Sequence, residues 1–145
     1  MSRVDFHAGL DDKLAYACRL VRKAWRSGRQ VVVTGPPADL ARLDQLLWTF
    51  EPGEFIPHAR LRAGEGVPAR LARTPVWLAE RPDDPGRDDV LVNLGPSPAE
   101  SARRFERVIE LVGRDEADAA AGRQRWRHHR AAGLAPTLHT LGGDA

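Results

Sequence analysis

Four side chains late in the chain have types and spacing that could recognise an anion. Arg123, Trp126, Arg127 and Arg130 fall at i, i+3, i+4 and i+7, which places them on one helix face within an arc of about 100°. Guanidinium forks take up carboxylates and phosphates in a planar, bidentate way that lysine does not reproduce. An indole among them adds an apolar surface. The combination suits a short acidic segment with an apolar end, a terminal carboxylate included. It also suits single-stranded nucleic acid, although such sites usually offer several stacking rings along a basic groove and here there is one. Two structural explanations compete with both. Basic residues at the end of this helix and Asp115, Glu116 and Asp118 at its start complement the macrodipole, at about 0.3–1 kcal/mol per charge. Trp126 can also serve as an internal cation–π clamp. Ala117, Ala121, Ala131 and Ala132 define the expected packing face, which leaves Trp126 and the arginines turned to solvent.

A second cluster lies in LLWTFEPGEFIPH. Leu40, Leu43, Leu46 and Leu47 mark the buried face of a helix, and Trp48 falls about 100° from its centre. Phe50 and Phe55 follow in a short loop. These three aromatics either roof the edge of the core or form an apolar docking patch for another protein.

Enzyme motifs fail on chemistry. Gly35-Pro36-Pro37 ends an apolar strand where a phosphate loop could sit, but neither lysine of the chain, Lys13 or Lys23, is near it. Prolines offer no N–H to a pyrophosphate, so the turn reads as a strand-ending turn. The five histidines form no H-E-x-x-H pair, and His128 and His129 point about 100° apart on a helix. Cys18 lies on an apolar helix face, where an inert thiol is expected. No serine has a nucleophile-elbow context. The reading is no catalytic residue, no metal and no cofactor.

The elements that must position these residues follow from periodicity. The 145 residues suit one domain; hydrophobic residues make up 42%, charged residues 29%, and the net charge is only +2. So small a net charge does not steer the whole molecule onto DNA or a membrane. No apolar run approaches membrane-spanning length, the N-terminus lacks a signal-like apolar stretch, and a single cysteine fits a reducing, cytoplasmic setting. The reading places a short strand at 4–6, a helix over 11–27 stopped by Gly28, and a strand over 30–34. A helix capped by Asp39 follows, then a long loop over 58–74 and a strand at 76–79. Beyond a charged linker over 81–89 come a strand at 90–94, a short helix over 98–105, a strand over 107–112 and a last helix over 115–132. Strands and helices alternate and the best strands are apolar throughout. That pattern implies one α/β domain over residues 1–134, three-layered, with a mostly parallel sheet and helices on both faces. Residues 135–145, with Gly142 and Gly143, read as a flexible C-terminal tail.

Four blocks carry a family resemblance: AWRSGRQVVV (24–33), LDQLLWTFEPGEFIPH (43–58), DDVLVNL (88–94) and GRQRWRHHRAAG (122–133). In this order and spacing the chain resembles the chi subunit of the bacterial DNA polymerase III holoenzyme, over essentially its whole length. The resemblance implies a Rossmann-like fold without a nucleotide site and a non-catalytic, accessory role in replication. It also implies two partners: the acidic, phenylalanine-ended tail of single-stranded-DNA-binding protein, and the psi subunit, which leads to the clamp loader. Some members meet a repair-related helicase through the psi-side surface. Position by position, the resemblance places the tail-binding helix on Arg123, Trp126 and Arg127, with Arg130 extending the face; Trp48 matches the tryptophan of the psi-side patch, and Phe55 an aromatic near the family's partner surfaces. Contact with DNA would then be indirect, the alternative being a direct single-stranded-DNA module on the Arg/Trp helix face. The chain departs from the pattern at Ala119, where some relatives are basic, and at His129 and Leu134, where aromatics are common.

Overall fold

The computed structural model describes residues 2–99 and 102–141. Within them the chain runs β1 (Arg3–Leu10), α1 (Lys13–Arg26), β2 (Val31–Thr34), α2 (Pro37–Thr49), β3 (His58–Leu61), β4 (Val76–Ala79), β5 (Val90–Asn93), β6 (Arg107–Gly113), α3 (Glu116–Ala131) and β7 (Thr137–Thr140), with short 3-10 turns at Ala69–Leu71 and Ala102–Arg104. The strands form one sheet in the order β3-β4-β2-β5-β6-β1-β7, with every neighbouring pair parallel. Helices α1 and α2 cover one face and α3 the other, which is the expected three-layer α/β architecture.

Burial explains the strand composition. In β2, Val31 and Val33 join the core beneath α1 and α2, while Val32 joins the core on the α3 side. Every residue of β2, β4 and β5 is buried, so these central strands tolerate no polar alternation. The helices begin and end as local chemistry dictates. Asp12 caps α1 by accepting from the Ala15 N–H at 3.1 Å, and Gly28 leaves it with φ +77°. Asp115 caps α3 by accepting from the Asp118 N–H at 3.1 Å.

Five expectations need correction. Helix α2 starts at Pro37, earlier than an Asp39 cap would allow, because proline's fixed φ and missing N–H are tolerated in a first turn; Asp39 sits in that turn as a dipole-complementing charge. The stretch read as one long loop contains the edge strand β3, whose residues are only partly apolar because one side has no neighbour. The short helix expected over 98–105 is a single 3-10 turn at Ala102–Arg104, residues 100 and 101 lying outside the described residues. The segment read as a flexible tail supplies β7, which pairs with β1 from Asp5↔Thr137 to Ala8↔Thr140; Gly142 and Gly143 fall outside the described residues.

The fifth correction bears on the site. The alanine face of α3 does not meet the sheet: Ala117 and Ala131 are exposed, and Gly122, Arg125 and His129 are the buried residues of the helix. The stripe 122, 125, 126, 129 is also helically spaced, one residue out of phase with the arginine stripe. Gly122 makes this approach possible, since a Cβ there would lie 2.8 Å from both Val112 methyls.

Candidate functional site

Helix α3 is pinned to β6 by a buried ionic cluster. Arg125 Nε donates to Glu110 Oε1 at 2.8 Å, and its two Nη groups donate to the carbonyls of Leu111 (2.7 Å) and Pro96 (3.2 Å). His129 Nε2 donates to Glu110 Oε2 at 2.8 Å. The side chains of Arg125 and Glu110 are wholly buried, and each donates or accepts through several atoms, the condition under which buried charges are tolerated. At the other end of the helix, Asp118 Oδ2 accepts from the Gly113 N–H (2.6 Å) and from Lys13 Nζ (2.9 Å). The helix is therefore fixed in rotation at both ends.

That rotation decides where the sequence-predicted residues point. Arg123, Arg127 and Arg130 are exposed, as expected, and Arg123 pairs with Glu116 at 3.1 Å. Trp126 is half-buried at the boundary: its ring packs edge-on to Phe6 with centroids 5.1 Å apart, so it is neither free in solvent nor sealed inside. Beside it opens an apolar groove of about 460 Å³, walled by Trp126 and Gly122 of α3, floored by Phe6, Ala8 and Val112, and closed by Leu138 of β7. Arg123 and Arg127 line the same groove. Leu138 is 56% exposed, an unusual state for a leucine and the reason the groove has an outer wall. Phe6 and Leu138 are register partners across β1 and β7, so both project to the α3 side of the sheet. Arg130 does not line this groove and extends the basic stripe beyond it.

The second cluster lies near the opposite edge of the sheet. Trp48 and Phe55 are 53% and 58% exposed, with ring centroids 5.1 Å apart. Phe50 turns inward and packs against the core under α1 and α2. His58 buttresses the pair: its ring lies 4.7 Å from that of Trp48, its Nδ1 donates to the Ile56 carbonyl at 2.7 Å, and its Nε2 lies 3.0 Å from Asp44 Oδ1. The loop carrying Phe55 is tied to α1 through Glu54, which accepts from Arg22 at 2.6 Å and from Arg26 at 2.5 Å. The hydrogen bond from Arg22 is the largest influence holding the Glu54 carboxyl below its usual range, against a smaller opposing effect of desolvation.

The cavity where this kind of fold would seat a nucleotide is chemically unsuited to one. It opens beyond β2, β4 and β5, and Glu80, Asp83 and Asp84 outnumber the one cation on its lining, Arg81, which disfavours phosphate. Gly35 serves packing there, since a Cβ would lie 2.9 Å from Leu94 Cβ. Burial pushes the Cys18 thiol up to about 11, which leaves it protonated and unreactive. Among the described residues, no group of three or more His, Cys, Asp or Glu side chains gathers as a metal site, and no helix is long and apolar enough to cross a membrane.

Fold and site together define a Rossmann-like α/β domain that carries, among its exposed features, an arginine-flanked apolar groove and an aromatic patch. Comparison with known proteins makes the class specific. Residues 1–137 match the family described as DNA polymerase III chi subunit, HolC, and the chain belongs to that family. It is 35% identical to the DNA polymerase III subunit chi of Pseudomonas aeruginosa, covering 97% of this chain and 98% of that one. It is 30% identical to the subunit chi of Escherichia coli, covering 87% and 84%. Among solved structures, the C-terminal domain of S. cerevisiae Dbp5, in a complex with Gle1, superposes with a TM-score of 0.60 at 11% identity, covering 97% of this chain and 90% of that one, a likeness of fold alone. The chain is thus a chi subunit of DNA polymerase III, an accessory subunit in replication.

Phe6, Val112, Leu138 and His58 were not singled out from sequence, and neither was the Arg125–Glu110 pair. A mid-helix glycine, Gly122, was the available signal for the true packing face of α3. Nothing local marked Leu138, because its role depends on β7 pairing with β1.

Proposed function

We propose that this chi subunit binds the acidic, phenylalanine-ended C-terminal tail of single-stranded-DNA-binding protein in the groove between α3 and the β1–β7 edge. The groove itself supports this reading: an apolar slot of about 460 Å³ with Arg123 and Arg127 on its lining can take one aromatic side chain and face its carboxylates with guanidiniums. Exposed ion pairs contribute roughly 0.2–1 kcal/mol each. Burying one phenylalanine adds roughly 1.5–3 kcal/mol. The sum, about 2–5 kcal/mol for two arginines and one ring, leaves one contact at about millimolar affinity or weaker; bidentate geometry strengthens it, and several tails presented together raise effective binding without new contacts. The Trp48–Phe55 patch is assigned to the other partner, the psi subunit on the clamp-loader side or a repair-related helicase, because paired exposed aromatics concentrate interface energy.

Isothermal titration with an acidic peptide ending in Phe tests the tail reading. Binding is expected to weaken with salt and to fall about tenfold in Arg127→Glu, where the lost attraction is joined by a repulsion of similar size, and in Trp126→Ala, which removes a wall of the apolar slot. Equal affinity for a peptide lacking the terminal Phe would refute the groove as its seat. Pull-down with Trp48→Ala/Phe55→Ala tests the other surface: loss of psi or helicase with the tail contact intact is the expected result.

A further inference from the structure

The cavities of this molecule differ sharply in charge. In two at the carboxyl ends of the strands acids outnumber bases: Asp11, Asp12, Asp115 and Asp118 against Lys13 and Arg114 in one, and Glu80, Asp83 and Asp84 against Arg81 in the other. A third, of about 470 Å³, runs between α1 and the strands β1, β5 and β6 on the face away from α3. Arg19, Lys23, Arg29 and Arg107 line it together with His7 and Tyr16, and no carboxylate does. The acids nearby are already committed. Asp89 is held by Arg29 Nε through both oxygens, at 2.9 and 3.0 Å. Buried Asp5 is shared by Arg3 (3.2 Å), Arg107 (3.4 Å) and His139 (3.0 Å). Arg19 lies over the Tyr16 ring at 5.7 Å, and Lys23 is exposed one turn further along α1; neither has an ion-pair partner among the described residues. Burial first, then His139, Arg107 and Lys23, hold the His7 imidazole below its usual range, and Asp5 offsets this only in part.

We propose that this groove is a second binding site, for the phosphodiester backbone of single-stranded DNA, on the face of the sheet opposite the α3 groove. Arg19 and Lys23 are i, i+4 neighbours about 5–6 Å apart at Cβ, which is the scale of successive phosphates on an extended strand. Arg107 stands across the slot at the start of β6. A concave slot between a helix and a sheet admits one strand and excludes a duplex, and DNA is the polyanion a replication subunit meets. Contacts of this kind add salt-dependent attraction without sequence preference. The site is independent of the tail-binding reading, since it shares no lining residue with the α3 groove.

The test is fluorescence anisotropy of a labelled oligothymidylate with the full chain, repeated from low to moderate salt. Binding is expected, with log affinity falling against log salt at a slope of about −0.7 per phosphate contact. Arg19→Glu/Lys23→Glu is expected to lower affinity by at least about tenfold and to flatten the slope by about 1.4. Both residues are exposed, so the thermal midpoint and the affinity for the acidic peptide should stay unchanged. Arg127→Glu, on the other face, should leave DNA binding within about twofold. Absence of binding at low salt overturns the proposal. So does a larger loss in Arg127→Glu than in the double variant, which would move DNA to α3. Displacement of the oligonucleotide by an equal concentration of pyrophosphate or of the acidic peptide also overturns it, by assigning the groove to a different anion.

Discussion

At the residue scale, neighbouring arginines on α3 do opposite work. Arg127 is exposed and pairs with no described side chain, whereas Arg125, two positions earlier, is wholly buried and makes three hydrogen bonds to other elements. Arg125→Met is therefore expected to lower stability by about 3–5 kcal/mol, because Glu110 would remain as a buried charge beside His129 alone. Chemical denaturation measures this, and Arg127→Met serves as the near-neutral control. A second residue-scale effect concerns pH. His7 has a folded pKa below its unfolded value, through burial first and then the charges of His139, Arg107 and Lys23; its Nδ1 shares a hydrogen bond of 2.5 Å with the Tyr16 hydroxyl. A depressed histidine binds its proton more readily when unfolded, so its contribution is present above about pH 6.5 and is lost as pH falls below that. Asp5, also depressed on folding, acts in the same direction only further into acid: its His139 and arginine partners outweigh its burial. Thermal midpoints should therefore fall from pH 7 to 5, and His7→Asn should flatten that decline.

At the scale of elements, the site depends on how closely α3 can lie on β6. Gly122 faces Val112 with no space for a methyl group, and Val112 is a β-branched side chain fixed in a central position of the sheet. Alanine at 122 would gain about 1 kcal/mol of helix propensity. Overpacking a strand–helix contact costs about 1–3 kcal/mol, and the neighbour cannot swing aside. Gly122→Ala is expected to be destabilising on balance and to weaken peptide binding as well, because lifting α3 widens the groove between Trp126 and Phe6. Calorimetry and titration of the same variant check both halves. The edge strand β7 is the other determining element. It contributes little to the core, being exposed along its length, yet its Leu138 closes the groove.

At the scale of the whole molecule, the two proposed docking surfaces are kept apart by the sheet. The Trp48–Phe55 patch belongs to α2 and the loop leading into β3, at one edge; the α3 groove belongs to β1 and β7, at the other edge and on the other face. Six inter-strand steps of about 4.8 Å separate the edge strands by roughly 29 Å. Sites so far apart with no shared partners act additively, so Trp48→Ala/Phe55→Ala should leave the affinity for the acidic peptide unchanged within about 0.5 kcal/mol. A ternary mixture analysed by sedimentation should contain both partners on one chi subunit. A larger coupling would mean that the sheet transmits a shift between its faces.

Much of this architecture is written in local pattern. Val31–Val33, Val90–Val92 and the apolar stripe of α1 can be satisfied only by strands and a helix buried as they are, because periodicity and burial are the same fact seen at two scales. The exposure of Arg123, Arg127, Trp48 and Phe55 likewise followed from helical phase and loop position. Edge strands β3 and β7 were invisible because an edge strand needs no apolar alternation; its partner, β4 or β1, holds it by backbone hydrogen bonds. The packing face of α3 was misread because small side chains suggest close contact, whereas a buried arginine satisfied by Glu110 and two carbonyls overrode hydrophobicity. By itself the sequence determined an α/β domain with an arginine-bearing last helix and an aromatic patch. Tertiary structure alone decided that Phe6, Val112, Trp126 and Leu138, distant along the chain, meet in one groove, since only strand order and the rotation of α3 bring residues from four elements to one place.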